Sequence, residues 1–394
     1  MSRESPSTEA LPFEPVRWDA VDDGRRFVGI SLRSVTFILS LVALLGLLAY
    51  DVVVSPETTL PNWDFTRLDW LFVAANLVLV FFVIVPAVQR WERTKWYWRR
   101  FRSNRAGVVA LAYIVTWYVV TLVSPEVVGP PDLNLYHMYQ PPMFGTVPDN
   151  VATNCLGPVT GGQCHGTVQY PLGTNSTGAG TFRLIVEAMK IAFLVGLVAA
   201  ALMVPIAVAV GVLAGYAGGW VDDVLMRYVD VQQAVPAVLI YIIVMFLTRK
   251  SLFLLIVVFG LLNWGGVARI VRSEVLRHRE AGYVMAARNA GAGDLHVISK
   301  HVLPNVSGTV ITAVTRQIPM LILIQVGLSY VGLNQVELSS FGQILSFPFE
   351  TSYTTPGNTW WLLVFPTIAL ALLIVSFSVL GDALYDAIDP RREV

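Results

Sequence analysis

Tyr283–Asn305, YVMAARNAGAGDLHVISKHVLPN, is a polar and basic stretch set between two long apolar runs. It is too polar to cross a bilayer, where charged side chains are costly. Its pattern predicts two short helices. Tyr283 to Asn289 holds good helix formers and the adjacent alanines Ala286 and Ala287. Gly291 and Gly293 then close the helix, since glycine tolerates the left-handed conformation wanted at a helix end. Asp294 is placed to cap a second helix over Leu295–Val302. Leu303-Pro304 is placed to end it, because proline cannot continue the ladder and displaces the residue before it. The expectation is a helix-turn-helix outside the membrane, with a plain connector as the alternative on spacing alone.

The flanking apolar runs set the class. The chain of 394 residues is 55% apolar and 14% charged, against about 45–50% and about 25% in ordinary soluble domains. About 20 mostly apolar residues cross about 30 Å of hydrocarbon, and eight stretches qualify, near 32–54, 70–89, 106–124, 184–213, 225–248, 251–271, 308–333 and 360–380. The expected fold is therefore an all-α, polytopic transmembrane helix bundle. The 27 basic residues are balanced by 27 acidic ones, which leaves no one-signed basic surface for nucleic acid.

Orientation follows from where Lys and Arg gather, since loops rich in them stay in the cytosol. Arg90 to Arg105 holds seven basic residues, and the loop 272–305 is also basic, whereas Pro125–Phe182 and Asn334–Thr359 contain no Lys or Arg. The basic segments are thus expected inside and the loop 125–182 outside, with both termini cytosolic. Arg25-Arg26 and Arg391-Arg392 agree with this; Arg249-Lys250, in a turn placed outside, do not. The first 30 residues lack the apolar core of a cleaved leader. Trp96 to Trp98 and Trp360-Trp361 suit an interfacial aromatic belt.

The quoted stretch carries a resemblance. Ala286-Ala287, Gly291 and Leu303-Pro304 resemble the EAA signature of ABC importer permeases, and the fuller set Ala286-Ala287-Arg288, Gly291, His301 and Leu303-Pro304-Asn305 is similar to its dipeptide/oligopeptide variant. Met285 stands where the general signature has an acid. From Trp98 onward further elements resemble the family: the basic Arg100–Ala106, Tyr170–Thr174, Gly211 through Pro236, Leu328–Leu333, Phe341-Gly342, and Gly381 to Arg391. Residues 1–90 form an extension with two spans, read as an accessory anchor, ahead of a six-span core over 91–394. The resemblance implies an ATPase-coupling role for Met285, Ala286, Ala287, Arg288, Gly291, His301, Leu303 and Pro304. It also implies a second permease subunit, two ABC ATPase subunits carrying ATP and Mg, and an external substrate-binding protein, in a prokaryotic plasma membrane. Arg288 and Lys300 are candidates to meet acidic residues of an ATPase.

Polar side chains within spans are functional candidates by default. Lys190, Gln232, Gln233, Arg316, Gln317 and Gln325 either line a water-filled pathway or serve as snorkelling and helix-to-helix hydrogen-bonding groups. Pro236 and Pro319 are expected to bend their helices. Asp223 and Arg227 have the spacing of a helical ion pair. Cys155 and Cys164 share one loop and predict a disulfide, with free thiols, or a metal site shared with His137 and His165, as alternatives. Asn175-Ser176-Thr177 matches a glycosylation acceptor. No phosphate loop and no zinc motif occurs in the sequence, so no catalytic residue, metal ligand or bound cofactor is assigned. An ion-driven secondary transporter, a channel, or a membrane scaffold or receptor is the alternative.

Overall fold

The computed structural model describes residues 32–53, 66–127, 133–248, 250–333, 339–350 and 356–388. Arg25-Arg26, Arg249 and Asp389 to Arg392, used above for topology and resemblance, lie outside the described residues.

The N-terminal helices are α1 (Leu32–Val53), α2 (Arg67–Leu79), which passes through a π turn at Val80–Ile84 into α3 (Val85–Gln89), and α4 (Trp91–Phe101). Next come α5 (Arg105–Val127), α6 (Thr181–Ala217), α7 (Gly219–Ala234), α8 (Ala237–Leu247), α9 (Leu252–Leu262) and α10 (Gly265–Arg279). The remainder is α11 (Gly282–Asn289), α12 (Asp294–Val297), α13 (Leu303–Tyr330), α14 (Phe341–Glu350) and α15 (Trp361–Ile388). Among the described residues seven helical runs are long and apolar enough to cross a membrane, and α7 with α8 make an eighth if that bent pair is one span. The stretch 225–248 is therefore not straight: the pair bends by 68°. Pro236 is the cause, since it holds Val235 in an extended conformation at φ −96° and ψ 116°. Pro319, by contrast, sits inside an uninterrupted α13.

The 37-residue α6 is the central post. At about 1.5 Å per residue it is longer than the hydrocarbon is thick, so it carries contacts from one side of the bundle to the other. Its first turns pack with α14, α13 and α15 around Met189, Ile322, Phe341 and Leu373. Its middle packs with α8 and α9 around Val198, Tyr241 and Ile256, and its end with α10 around Met203, Ala207, Ala268 and Val271. The α6–α10 contact is close because Gly211 and Gly215 face it: a Cβ on Gly211 would lie 2.6 Å from the Ala268 carbonyl oxygen, and one on Gly215 would lie 2.8 Å from the Val275 Cβ. In lipid, small residues of this kind let helix backbones approach.

Residues 133–180 form a small lobe with a three-stranded sheet of order β1-β3-β2, made of Thr146–Pro148, Gln163–His165 and Val159–Thr160 respectively. Cys155 and Cys164 are joined by a disulfide across Cα atoms 5.8 Å apart, so they are neither free thiols nor available to a metal with His137 and His165. Trp361, fully buried, plugs the lobe onto the bundle, and its Nε1 donates to the Thr174 carbonyl at 3.1 Å. Asn175 is also buried; its Oδ1 accepts from the Thr177 and Ala179 amides and the Thr177 hydroxyl. A side chain enclosed in this way is no glycosylation acceptor. Removing the disulfide with Cys155→Ser and Cys164→Ser is expected to cost the lobe about 2–3 kcal/mol, from the short loop it closes. Limited proteolysis should show faster cleavage within 133–180 while the helices stay protected.

Candidate functional site

The stretch Tyr283–Asn305 becomes α11, a turn, α12 and the start of α13. Gly291 N–H donates to Arg288 O at 2.9 Å and Ala292 N–H to Ala287 O at 3.0 Å, with Gly291 at φ +86°. This pair of bonds closes a helix through a left-handed residue. Gly293 is extended, at φ −69°, so only one of the two glycines is used for its handedness. Asp294 is the first residue of α12 and makes no side-chain cap; its carboxylate instead accepts from the Tyr216 hydroxyl at 2.7 Å. Pro304 does not end the helix. Ile298–Val302 form a π turn in which Leu303 N–H reaches Ile298 O, and α13 follows directly with Pro304 in its first turn. The wider turn accommodates the proline ring and asks no N–H of it, so the helical run is continuous from Asp294 to Tyr330.

One side of this unit grips the bundle. Val284, Val297, Val302 and Val306 are buried among Val267, Val271 and Val275 of α10. The other side is open: Met285, Ala286, Arg288, Gly291 and Pro304 are exposed, and Ala287, His301 and Leu303 are half-buried. Leu295 is 76% exposed. Tyr216, at the end of α6, ties both short helices down, because the Arg288 guanidinium lies 4.8 Å from its ring centre while its hydroxyl holds Asp294. Arg288 is thus engaged within the chain. The Tyr283 hydroxyl meets His278 Nδ1 at 2.8 Å and accepts from Asn305 Nδ2 at 3.3 Å. Burial pushes the Tyr283 phenol up from its ordinary value. The unit is therefore tied to α6, α10 and α13 together.

A charged belt lies beside it. Arg272 Nε and Nη2 donate to the two Asp222 carboxylate oxygens at 2.5 Å each, and Arg269 pairs with Asp230. The pair expected within α7, Asp223 with Arg227, is not among the ion pairs of the described residues; α10 instead supplies the partners, and a forked guanidinium matches a carboxylate better than a one-point contact. Asp222→Asn is expected to lower stability by about 1–3 kcal/mol, read as a lower melting temperature of the purified chain.

The polar residues of the spans do not converge on one lining. Gln232 donates to Leu261 O at 3.4 Å, and both Gln232 and Gln233 sit against Gly265. Lys190 and Gln317 are half-buried. Gln325 is only 1% exposed, and its Nε2 has no hydrogen-bond partner. Arg316 neither snorkels alone nor stands free: it pairs with Asp382 of α15 at 2.8 Å, with the two side chains 65% and 63% exposed. Sequence reasoning missed Asp382 and Tyr216 as partners, since each lies more than sixty residues from the group it holds.

Seven or eight helical runs among the described residues, each long and apolar enough to cross a membrane, form the bundle of a multi-pass membrane protein. Residues 207–394 match the family described as binding-protein-dependent transport system inner membrane component, and residues 92–142 match the N-terminal TM domain of oligopeptide transport permease C. The chain belongs to this family of peptide ABC transporter permeases. It is 30% identical over 295 residues to the dipeptide transport system permease protein DppC of Bacillus subtilis, covering 75% of this chain and 84% of that protein. It is 31% identical over 295 residues to the oligopeptide transport system permease protein OppC of the same organism, covering 74% and 88%. With the oligopeptide transport system permease protein OppC of Haemophilus influenzae it shares 34% identity over 220 residues, covering 56% and 70%.

Proposed function

We propose that this chain is one of two permease subunits of an ATP-driven importer of dipeptides or oligopeptides. It forms the translocation pathway with a second permease chain, receives substrate from an external binding protein, and catalyses nothing itself. Two ABC ATPases, which bind ATP and Mg, supply the work, and one of them takes the open face of α11 and α12. The observation that carries this is that exposed Met285, Ala286 and Gly291, with half-buried Ala287 among them, sit on a unit whose Val284, Val297 and Val302 are buried against the bundle. Such a unit can be gripped and can pass the motion to α6, α10 and α13.

In this proposal both termini, α4 and the unit 272–305 face the cytosol and the lobe 133–180 faces outward, in a prokaryotic plasma membrane, as the distribution of basic residues supports. Residues 1–90 form an accessory anchor ahead of the core over 91–394, a division supported by the family match that begins at residue 92. Among the polar residues of the spans, Gln233 and the Arg316–Asp382 pair are the pathway candidates, because they are exposed in the single chain and charge does not face lipid.

The test is uptake of radiolabelled dipeptide into proteoliposomes. The chain, its companion permease, both ATPases and the binding protein should together give uptake that requires ATP inside the ATPase compartment. Uptake by the purified chain alone, driven by an ion gradient, would establish the secondary-transporter alternative instead.

A further inference from the structure

We propose that α4 is a binding surface for the head groups of anionic phospholipids. It joins two apolar spans, Leu68–Gln89 and Arg105–Ser124, so both of its ends are held at the edge of a bilayer. Arg90, at φ −110° and ψ 47°, leaves the helical region and sets α4 off from the span before it. Residues advance about 100° each along a helix, which places Trp91, Thr94, Trp98 and Phe101 on one side and Arg93, Lys95 and Arg99 away from it. Phe101 is buried with Ala383 and Ala387 of α15, and Trp98 stacks on it at 5.7 Å. This contact fixes the C-terminal end of α4 against the bundle.

Among the described residues most of the rest of the helix is open, with Thr94 and Arg100 half-buried. Trp91, Arg93, Lys95 to Arg99 and Arg102 are exposed. Arg100 lies 4.2 Å over the Trp96 ring, so a cationic and an aromatic group act there as one surface. Seven basic residues face a single acid, Glu92, between Arg90 and Arg105. Aromatic rings of this type settle at head-group level, and basic side chains beside them attract anionic lipid. Position between two spans and excess positive charge together name the occupant: a lipid carrying net negative charge, such as phosphatidylglycerol. The inference requires that the chain spans a membrane but not which side α4 occupies.

The test uses the full chain in nanodiscs whose two leaflets have the same composition, so the result is independent of orientation and of the transported substrate. Spin-labelled phosphatidylglycerol and spin-labelled phosphatidylcholine are added in separate arms, and the immobilised fraction is read by electron paramagnetic resonance. Phosphatidylglycerol should be retained about fivefold more strongly, with the preference shrinking at high salt. The quadruple variant Arg93→Gln, Lys95→Gln, Arg99→Gln, Arg102→Gln should bring the two lipids level. Should that variant fail to reconstitute, the double variant Arg93→Gln, Lys95→Gln decides, with a preference between those of the wild type and neutrality. Equal retention by the wild type, or an undiminished preference in the variant that reconstitutes, overturns the proposal.

Discussion

Replacing Gly211 with valine is expected to prevent the folded chain from accumulating in the membrane. The physical cause lies at the contact of α6 with α10. A single Cβ at Gly211 would sit 2.6 Å from the Ala268 carbonyl oxygen and 2.7 Å from the Val271 Cβ, distances at which something must move. The nearest obstacle is backbone of a buried helix, which cannot turn aside as a long side chain can. Overpacking of this kind costs about 1–3 kcal/mol for added methylenes, and valine adds three carbons to a fold whose total margin is about 5–15 kcal/mol. Gly46→Val is the control. Nothing lies within 4 Å of a Cβ at Gly46, and α1 should tolerate the change. Quantifying detergent-extracted, monodisperse protein for both variants distinguishes a packing requirement at Gly211 from a general cost of losing glycine.

The second large effect is expected at Ala287. Ala287→Arg should reduce uptake by the assembled transporter at least about tenfold, equivalent to about 1.4 kcal/mol of lost coupling, while leaving the chain folded. Ala287 lies half-buried on α11 with exposed Ala286 and Met285 beside it, and is not among the buried residues that hold this unit to the bundle. A long charged side chain there reaches out past Ala286 and Met285 and obstructs what approaches that face. The discriminating readout is a split: melting temperature close to wild type, but loss of ATPase stimulation by substrate-loaded binding protein. A matching fall in melting temperature would show that Ala287 belongs to the packing and not to the docking face.

The spans and the polar stretch between them were legible because both rest on local signals. Hydropathy alone placed the helices, and Gly291 announced the left-handed turn that closes α11. What escaped was set by distant partners or by backbone details that the local rules leave open. Pro304 reads as a stop, yet a π turn over Ile298–Val302 lets the helix continue through it. Asp294 reads as a cap, yet Tyr216, 78 residues away, takes its carboxylate. Asp223 and Arg227 have ideal spacing on one helix, but the pairs that form run from Asp222 and Asp230 across to α10. Pro236 and Pro319 look alike in sequence; only the first falls where the chain separates into two helices. The lobe around Trp361 left no periodic trace, since its strands are two or three residues long. At the candidate site, the gripping valines were hidden because their burial depends on α10 rather than on any pattern within Tyr283–Asn305.

The central claim is that α11 and α12 are the surface an ATPase holds. It is tested most directly by placing a photocrosslinking amino acid at Ala287 of the otherwise intact chain and irradiating cells that express the whole transporter. The expected result is a covalent adduct with an ATPase subunit, weakened when ATP is depleted. Absence of any ATPase adduct, with residue 287 instead captured by the external binding protein or labelled by a membrane-impermeant reagent from outside the cell, would contradict both the docking surface and the orientation.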